Sequence, residues 1–284
     1  MESFPAKKSP TKYFLLVFAL SIPIWIIEWF VNVKGLPLDI PITDIVAAFI
    51  PLIVACILVH NEEGIYGVKQ LFKRIFDFSK IEHKKWYVPI IFLPFLIFGI
   101  IYLIIKISGL PLPTLWKISF VSIPFLFVFF FLGAIGEEVG YMGYAVDPLQ
   151  EKFSALKTSL IIGIPWAIWH YPSIIKQGHD FQWIIWGTIG TIAMRILIIW
   201  LYNNTGKSLF ACIIFHSLYN LGRPLFPRDN TLNPLVDYPN IHYSVIALIS
   251  LLVIVFWGAR TFTRHKLSQT AKKQKYDNQK TTNR

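Results

Sequence analysis

Residues 118–143 read ISFVSIPFLFVFFFLGAIGEEVGYMG. As an α-helix, a predominantly apolar run of this length crosses about 30 Å of hydrocarbon. Two adjacent carboxylates, Glu137 and Glu138, lie inside it. A carboxylate at the bilayer centre costs roughly 2.5–3.5 kcal/mol on insertion scales, so each glutamate needs a partner or a function. The run therefore predicts a membrane helix that carries a functional site.

The composition of the whole chain fits a membrane protein. Of its 284 residues, 55% are hydrophobic and 15% are charged, and the mean hydropathy is +0.54. Soluble domains are nearer a quarter charged. The chain is therefore predicted to be an all-α polytopic membrane protein with about eight transmembrane helices, in a single membrane domain over 13–259. The predicted spans are 13–33, 44–60, 87–107, 118–144, 157–175, 182–202, 207–222 and 243–259.

Charge is distributed unevenly between the two sides of the predicted membrane domain. The net charge is +11, and 20 Lys and Arg residues fall on the side of the N-terminus against 6 on the other. This positive-inside bias predicts a multi-pass cell-membrane protein with both termini cytoplasmic, and no nucleic-acid binding. The N-terminal tail is 1–12. The basic, largely polar tail 260–284 is predicted to be disordered and attracted to the lipid bilayer. The Lys-, Ile- and Phe-rich composition is typical of AT-rich bacterial genomes.

Further polar residues lie in two later apolar segments. His170 falls in the fifth predicted span, one helical turn after Trp166. His216 and Asn220 fall in the seventh, and their spacing of four places both on one face of a helix. Together with the glutamates they predict one site built from three helices.

These side chains admit more than one chemistry. A buried carboxylate can take a proton from water while imidazole and amide donors stabilise an oxyanion, which is hydrolysis. Alternatively, Glu137, His170 and His216 match a catalytic zinc ligand set, although they lack the HExxH spacing. Intramembrane Glu and His also form proton or ion pathways. A pathway would spread polar residues along its length, whereas the first three predicted spans carry almost none at mid-depth.

Three segments resemble the motifs of the CAAX-processing and bacteriocin-processing (CPBP, or Abi) family of intramembrane proteases. Residues 136–144, GEEVGYMGY, resemble its first motif, EExxxR. Trp166 to His170 resembles the second, an aromatic residue followed by xxxH, and His216 to Asn220 resembles the third, HxxxN. The resemblance covers about 118–222, and the order and spacing of the motifs make it specific.

The resemblance implies an all-α, eight-span protease of the type II CAAX endopeptidase kind that cleaves a membrane-associated peptide or protein. It implies that Glu137 activates water, that His170 assists, and that His216 and Asn220 support the oxyanion. The family has often been labelled metalloprotease, but a glutamate mechanism without zinc or another cofactor fits the residues and is preferred. The alternative is a non-catalytic relative that acts as a membrane binding or bacteriocin-immunity protein. The sequence selects no oligomeric state.

One position departs from the first motif, because Met142 stands where the family has arginine. Without that arginine, Glu138 must be protonated or find another cation. Arg195 is the one basic residue deep in a predicted span, so we predict that it pairs with Glu138. The predicted spans also place Glu137 inward and His170 outward of their helix midpoints, an offset of roughly 10 Å along the membrane normal.

Overall fold

The computed structural model describes residues 8–30, 42–113 and 120–264. These residues form helices and connecting turns, with no β-strand among them. The α-helices are α1 (Pro10–Phe30), α2 (Ile42–Ala47), α3 (Ile50–Lys73), α4 (Tyr87–Ile107), α5 (Ser122–Gly140), α6 (Val146–Gln150), α7 (Ala155–Lys176), α8 (Phe181–Asn204), α9 (Leu209–Leu225), α10 (Pro234–Asp237) and α11 (Pro239–Trp257).

An all-α polytopic membrane protein is confirmed, but the count of eight spans is not. Each predicted span overlaps a helix, and the third matches α4 residue for residue. In the described part of the chain, six helical stretches are long and apolar enough to cross a membrane. Two longer helices outside these six stretches, α7 and α9, carry the histidines of the predicted site. α9 has only 17 residues, and α7 includes polar side chains and two prolines.

The helix that carries the two glutamates is longer than predicted. After α5, residues Tyr141–Ala145 form a π-helical turn that leads directly into α6. Glu137 therefore lies near the middle of the continuous helical stretch Ser122–Gln150. Short π-helical segments inside α-helices occur often at functional sites.

Close packing against α5 is possible because it carries small residues. A Cβ atom at Gly136 would collide with the carbonyl oxygen of Ala48, and one at Gly140 with the carbonyl oxygen of Pro51. Glycines four apart let two helix backbones approach closely. α5 thus packs on the start of α3 on one side and on α9 on the other, which brings the glutamates next to the helix of His216.

α7, α8 and α9 each begin at a side-chain cap. Ser154 accepts a hydrogen bond from the Lys157 amide (3.2 Å), Asp180 from the Trp183 amide (2.8 Å) and Ser208 from the Ala211 amide (3.2 Å). Such caps satisfy amides that have no partner inside the helix. The caps fix where α7, α8 and α9 begin, and therefore the register of the site residues along them.

A polar cluster around Arg74 connects neighbouring helices at the end of the bundle where α3 terminates. α3 breaks at Gly64, which has a φ of +67°, and continues to Lys73. Arg74 then donates to the carbonyl oxygen of Gly143 (3.0 Å) and to the Tyr202 hydroxyl (2.7 Å). This guanidinium ties the π-helical turn to the end of α8.

The start of the predicted basic tail packs on the helices. Phe262 is fully buried, and its carbonyl oxygen accepts a hydrogen bond from the Asn204 side chain (2.6 Å). The Ala155 amide donates to the carbonyl oxygen of Arg260 (2.8 Å). The rest of that tail, 265–284, and the first seven residues of the N-terminal tail lie outside the described residues.

Candidate active site

A buried ion pair and an imidazole hold Glu138. The Arg195 guanidinium donates from Nη1 to Oε2 of Glu138 at 2.7 Å, and both side chains are fully buried. The other carboxylate oxygen, Oε1, lies 2.9 Å from Nδ1 of His216. Both oxygens of Glu138 are therefore occupied. Arg195 is thus the cation that the sequence predicts as the partner of Glu138. It reaches the carboxylate from α8, whereas the motif arginine would stand at position 142, just after α5.

The second glutamate has a different environment. Oε2 of Glu137 accepts a hydrogen bond of 2.5 Å from the indole Nε1 of Trp166, and its Oε1 accepts none from the described residues. Glu137 is 8% exposed, whereas Glu138 is 0% exposed. Glu137 thus keeps one carboxylate oxygen for a reacting molecule.

Both histidines are held in the same tautomeric orientation. Nδ1 of His170 lies 2.7 Å from the carbonyl oxygen of Trp166, which can only accept, so Nδ1 carries the proton. Nδ1 of His216 likewise faces the Glu138 carboxylate. In each ring Nε2 remains available, either to accept a hydrogen bond or, in the imidazolium form, to donate one.

Asn220 completes the set that the motifs predicted. It is half-buried on α9, one turn beyond His216. Its side chain makes no hydrogen bond to any residue that the structure describes, although an amide can form several. Nothing in the described structure thus uses this amide for packing.

The arrangement does not fit a three-ligand metal site. Within 8–30, 42–113 and 120–264, no three His, Cys, Asp or Glu side chains converge closely enough to hold a metal ion. Glu137, His170 and His216 are linked through Trp166, because its indole N–H binds the carboxylate, its carbonyl binds His170, and its ring lies 5.5 Å from that of His216. We therefore derive no step through a metal.

Two aromatic rings pack against Arg195, and no sequence pattern predicted them. Its Cζ lies 4.1 Å from the centroid of the Trp166 ring and 5.1 Å from that of Tyr141. Its Nε and Nη2 have no hydrogen-bond partner among the described residues, and the two rings take the place of such partners. Tyr141 could have been noticed from its i+4 spacing to Glu137, but the spacing does not indicate a contact with a cation on another helix.

Restoring the family arginine alone is expected to destabilise the protein. Met142 is fully buried and Arg195 already neutralises Glu138, so Met142→Arg adds an unpaired buried cation that costs about 3 kcal/mol or more. In an Arg195→Met background the same arginine, at i+4 from Glu138, can supply the missing charge and should recover stability. Thermal unfolding in detergent measures both. A Met142→Arg protein as stable as Met142→Leu would contradict the prediction.

Comparisons with known proteins support the resemblance carried by the motifs. Residues 118–222 match the family described as type II CAAX prenyl endopeptidase Rce1-like. Over 268 residues the chain is 29% identical to CAAX prenyl protease 2 of Methanococcus maripaludis, and the alignment covers 88% of this chain and 94% of the relative. The family match contains every motif residue from Glu137 to Asn220, and it confirms the resemblance found in the sequence. Over residues 118–222 this multi-pass membrane protein is therefore similar to the Rce1-like type II CAAX prenyl endopeptidases.

Proposed function

We propose that the chain is an intramembrane endopeptidase in which Glu137 activates water to hydrolyse a peptide bond of a membrane-associated substrate. The observation that carries this proposal is the contrast between the two glutamates. Glu138 has both oxygens engaged by Arg195 and His216 and is fully enclosed, while Glu137 keeps Oε1 free and is slightly exposed. Only Glu137 can accept a proton from a bound water without first losing a buried partner.

The proposed reaction uses the side-chain atoms of the site that have no hydrogen-bond partner among the described residues. Oε1 of Glu137 takes a proton from water, which His170 orients through Nε2, and the oxygen attacks the carbonyl carbon of the scissile bond. The Asn220 amide, and His216 as an imidazolium supported by Glu138, donate to the developing oxyanion. When the tetrahedral intermediate collapses, the protonated Glu137 gives its proton to the leaving nitrogen. Water is thereby divided between the new carboxyl and amine.

The substrate is proposed from the chemistry of the site and from the name of the relative. A site among membrane helices favours a peptide that is already attached to the bilayer. The printed name of the relative, CAAX prenyl protease 2, suggests a prenylated C-terminal peptide as the first substrate to try. We propose that both termini are cytoplasmic, since the basic residues lie on their side.

The decisive experiment compares protein termini across the proteome of cells that express wild type, Glu137→Gln or His170→Ala at equal membrane levels. Glu151→Gln, the same change at an exposed position, is the matched control. Termini produced by wild type and by the control, and absent from both site variants, support proteolysis and name the substrate. Prenylated and unprenylated forms of that peptide then show whether the lipid is required. Identical termini in all four samples overturn the proposal.

A non-catalytic binding protein is the second candidate, and one observation favours it. Met142 replaces the arginine of the first motif, as expected in a relative that has lost activity. Arg195 supplies a cation to Glu138 from another helix, however, so the replacement leaves no unpaired charge. An immunity or partner-binding phenotype that survives both site variants would support this candidate.

Asn220→Ala is expected to lower kcat about 100-fold with little change in stability. The amide makes no hydrogen bond to the described residues, so its removal breaks no hydrogen bond there, whereas the loss of one oxyanion donor costs roughly 10²–10³ in kcat. Steady-state kinetics and thermal unfolding on the same preparation check the two halves of the prediction. A variant that loses stability in proportion to activity would show that Asn220 is structural.

A further inference from the structure

Trp166 contacts four of the polar side chains of the site. Its Nε1 donates to Oε2 of Glu137 at 2.5 Å, and its backbone carbonyl accepts from Nδ1 of His170 at 2.7 Å. Its ring lies 4.1 Å from Cζ of Arg195 and meets the ring of His216 edge to face, with centroids 5.5 Å apart. The side chain is 5% exposed. Trp166 therefore links Glu137 to Arg195, the partner of Glu138.

The contacts divide into those that any aromatic ring can make and one that needs indole. A phenylalanine at 166 would keep the backbone carbonyl for His170, the stacking on Arg195 and the edge contact with His216. It would lose the N–H donated to Glu137, together with part of the ring volume. A charge-assisted hydrogen bond is about twice as strong as a neutral one, so this N–H holds the carboxylate of the proposed base in place.

The indole also fixes which oxygen reacts. With Oε2 held by Nε1, rotation of the Glu137 carboxylate is restricted, and Oε1 is the oxygen presented to water. Arg195 completes the linkage, because the guanidinium that pairs with Glu138 lies on the other side of the same ring system.

We propose that Trp166 is a positioning residue for the reaction, which orients the Glu137 carboxylate through its indole N–H and packs against Arg195 with its ring. The proposal rests on the proposed function, since it concerns how Glu137 acts as a base. It adds a specific role for the indole nitrogen, which a phenyl ring at this position could not fill.

The test compares two substitutions on the same helix. Trp166→Phe removes the bond to Glu137, while Trp169→Phe removes an equally buried indole bond, from Nε1 of Trp169 to the Ser21 hydroxyl at 2.7 Å. Both substitutions should lower the free energy of unfolding by similar amounts. Only Trp166→Phe should lower kcat, roughly 10-fold or more with KM little changed, because the base has lost the donor that orients it.

The possible outcomes distinguish this inference from the function on which it rests. A Trp166→Phe protein whose kcat and KM match those of Trp169→Phe overturns the positioning role while leaving proteolysis intact. A wild type without peptidase activity overturns the proposed function and this inference with it. Should Trp166→Phe fail to fold, β-(3-benzothienyl)alanine at 166 replaces the N–H by sulfur in the same shape, and it is expected to show the same loss of kcat with KM little changed.

Discussion

Glu137→Gln is expected to lower the rate of peptide cleavage by about 10³-fold or more while the protein stays folded. Removing a positioned general base costs 10²–10⁴ in rate, and a glutamine at this position cannot take the proton from water. Its carbonyl oxygen can still accept the Trp166 N–H that Oε2 accepts now, at 2.5 Å. The substitution therefore separates chemistry from packing, and kcat with a quenched fluorescent peptide in detergent micelles measures the loss.

Two further variants serve as controls for Glu137→Gln. Glu151→Gln makes the same chemical change at an exposed position and should leave kcat and thermal stability unchanged. Glu138→Gln should behave differently from Glu137→Gln, because it removes the counter-ion of a fully buried arginine and so lowers stability as well as rate. If Glu137→Gln kept activity within about ten-fold of wild type, which is less than the usual contribution of a general base, another group would have to activate water.

The sequence predicted which helices carry the site because motif spacing and helical periodicity depend only on local geometry. His216 and Asn220 share a face of α9 as their i, i+4 spacing requires. The partner of Glu138 was predicted by a different route, from the cost of an isolated buried charge, since Arg195 was the one basic residue deep in an apolar segment. That reasoning used composition and depth, and it needed no knowledge of how α5, α8 and α9 pack.

Other features could not be predicted because they depend on packing between helices or on hydrogen bonds that leave no sequence pattern. The indole of Trp166 reaches Glu137 because of its side-chain rotamer and the approach of α7 to α5, and neither follows from the spacing of Trp166 and His170. The π-helical turn at Tyr141–Ala145 also has no sequence signature, and it extends the helical stretch beyond the predicted span. The count of eight spans stays a prediction, because α7 and α9, with polar side chains, proline or short length, fall outside the six apolar stretches found among the described residues.

Arg195→Met is expected to destabilise the protein by about 3–5 kcal/mol, the cost of removing one partner from a buried ion pair. The Glu138 carboxylate would keep only His216, in a site from which solvent is excluded. An exposed pair supplies the control, since Lys207 lies 2.9 Å from Asp147 with 59% of its side chain accessible. Lys207→Met should cost less than about 1 kcal/mol. Unfolding of the detergent-solubilised protein, followed by circular dichroism, compares the two.

The double variant shows whether the loss arises from the pair or from the arginine alone. Glu138→Gln in the Arg195→Met protein removes the unpaired carboxylate, so the double variant should be more stable than Arg195→Met, with a coupling of about 1–3 kcal/mol between the two sites. Additive losses would mean that Arg195 stabilises the fold mainly through its stacking on Trp166 and Tyr141. In that case the 2.7 Å contact with Glu138 would contribute little to stability. Arg195 would then not replace the motif arginine that is missing at Met142.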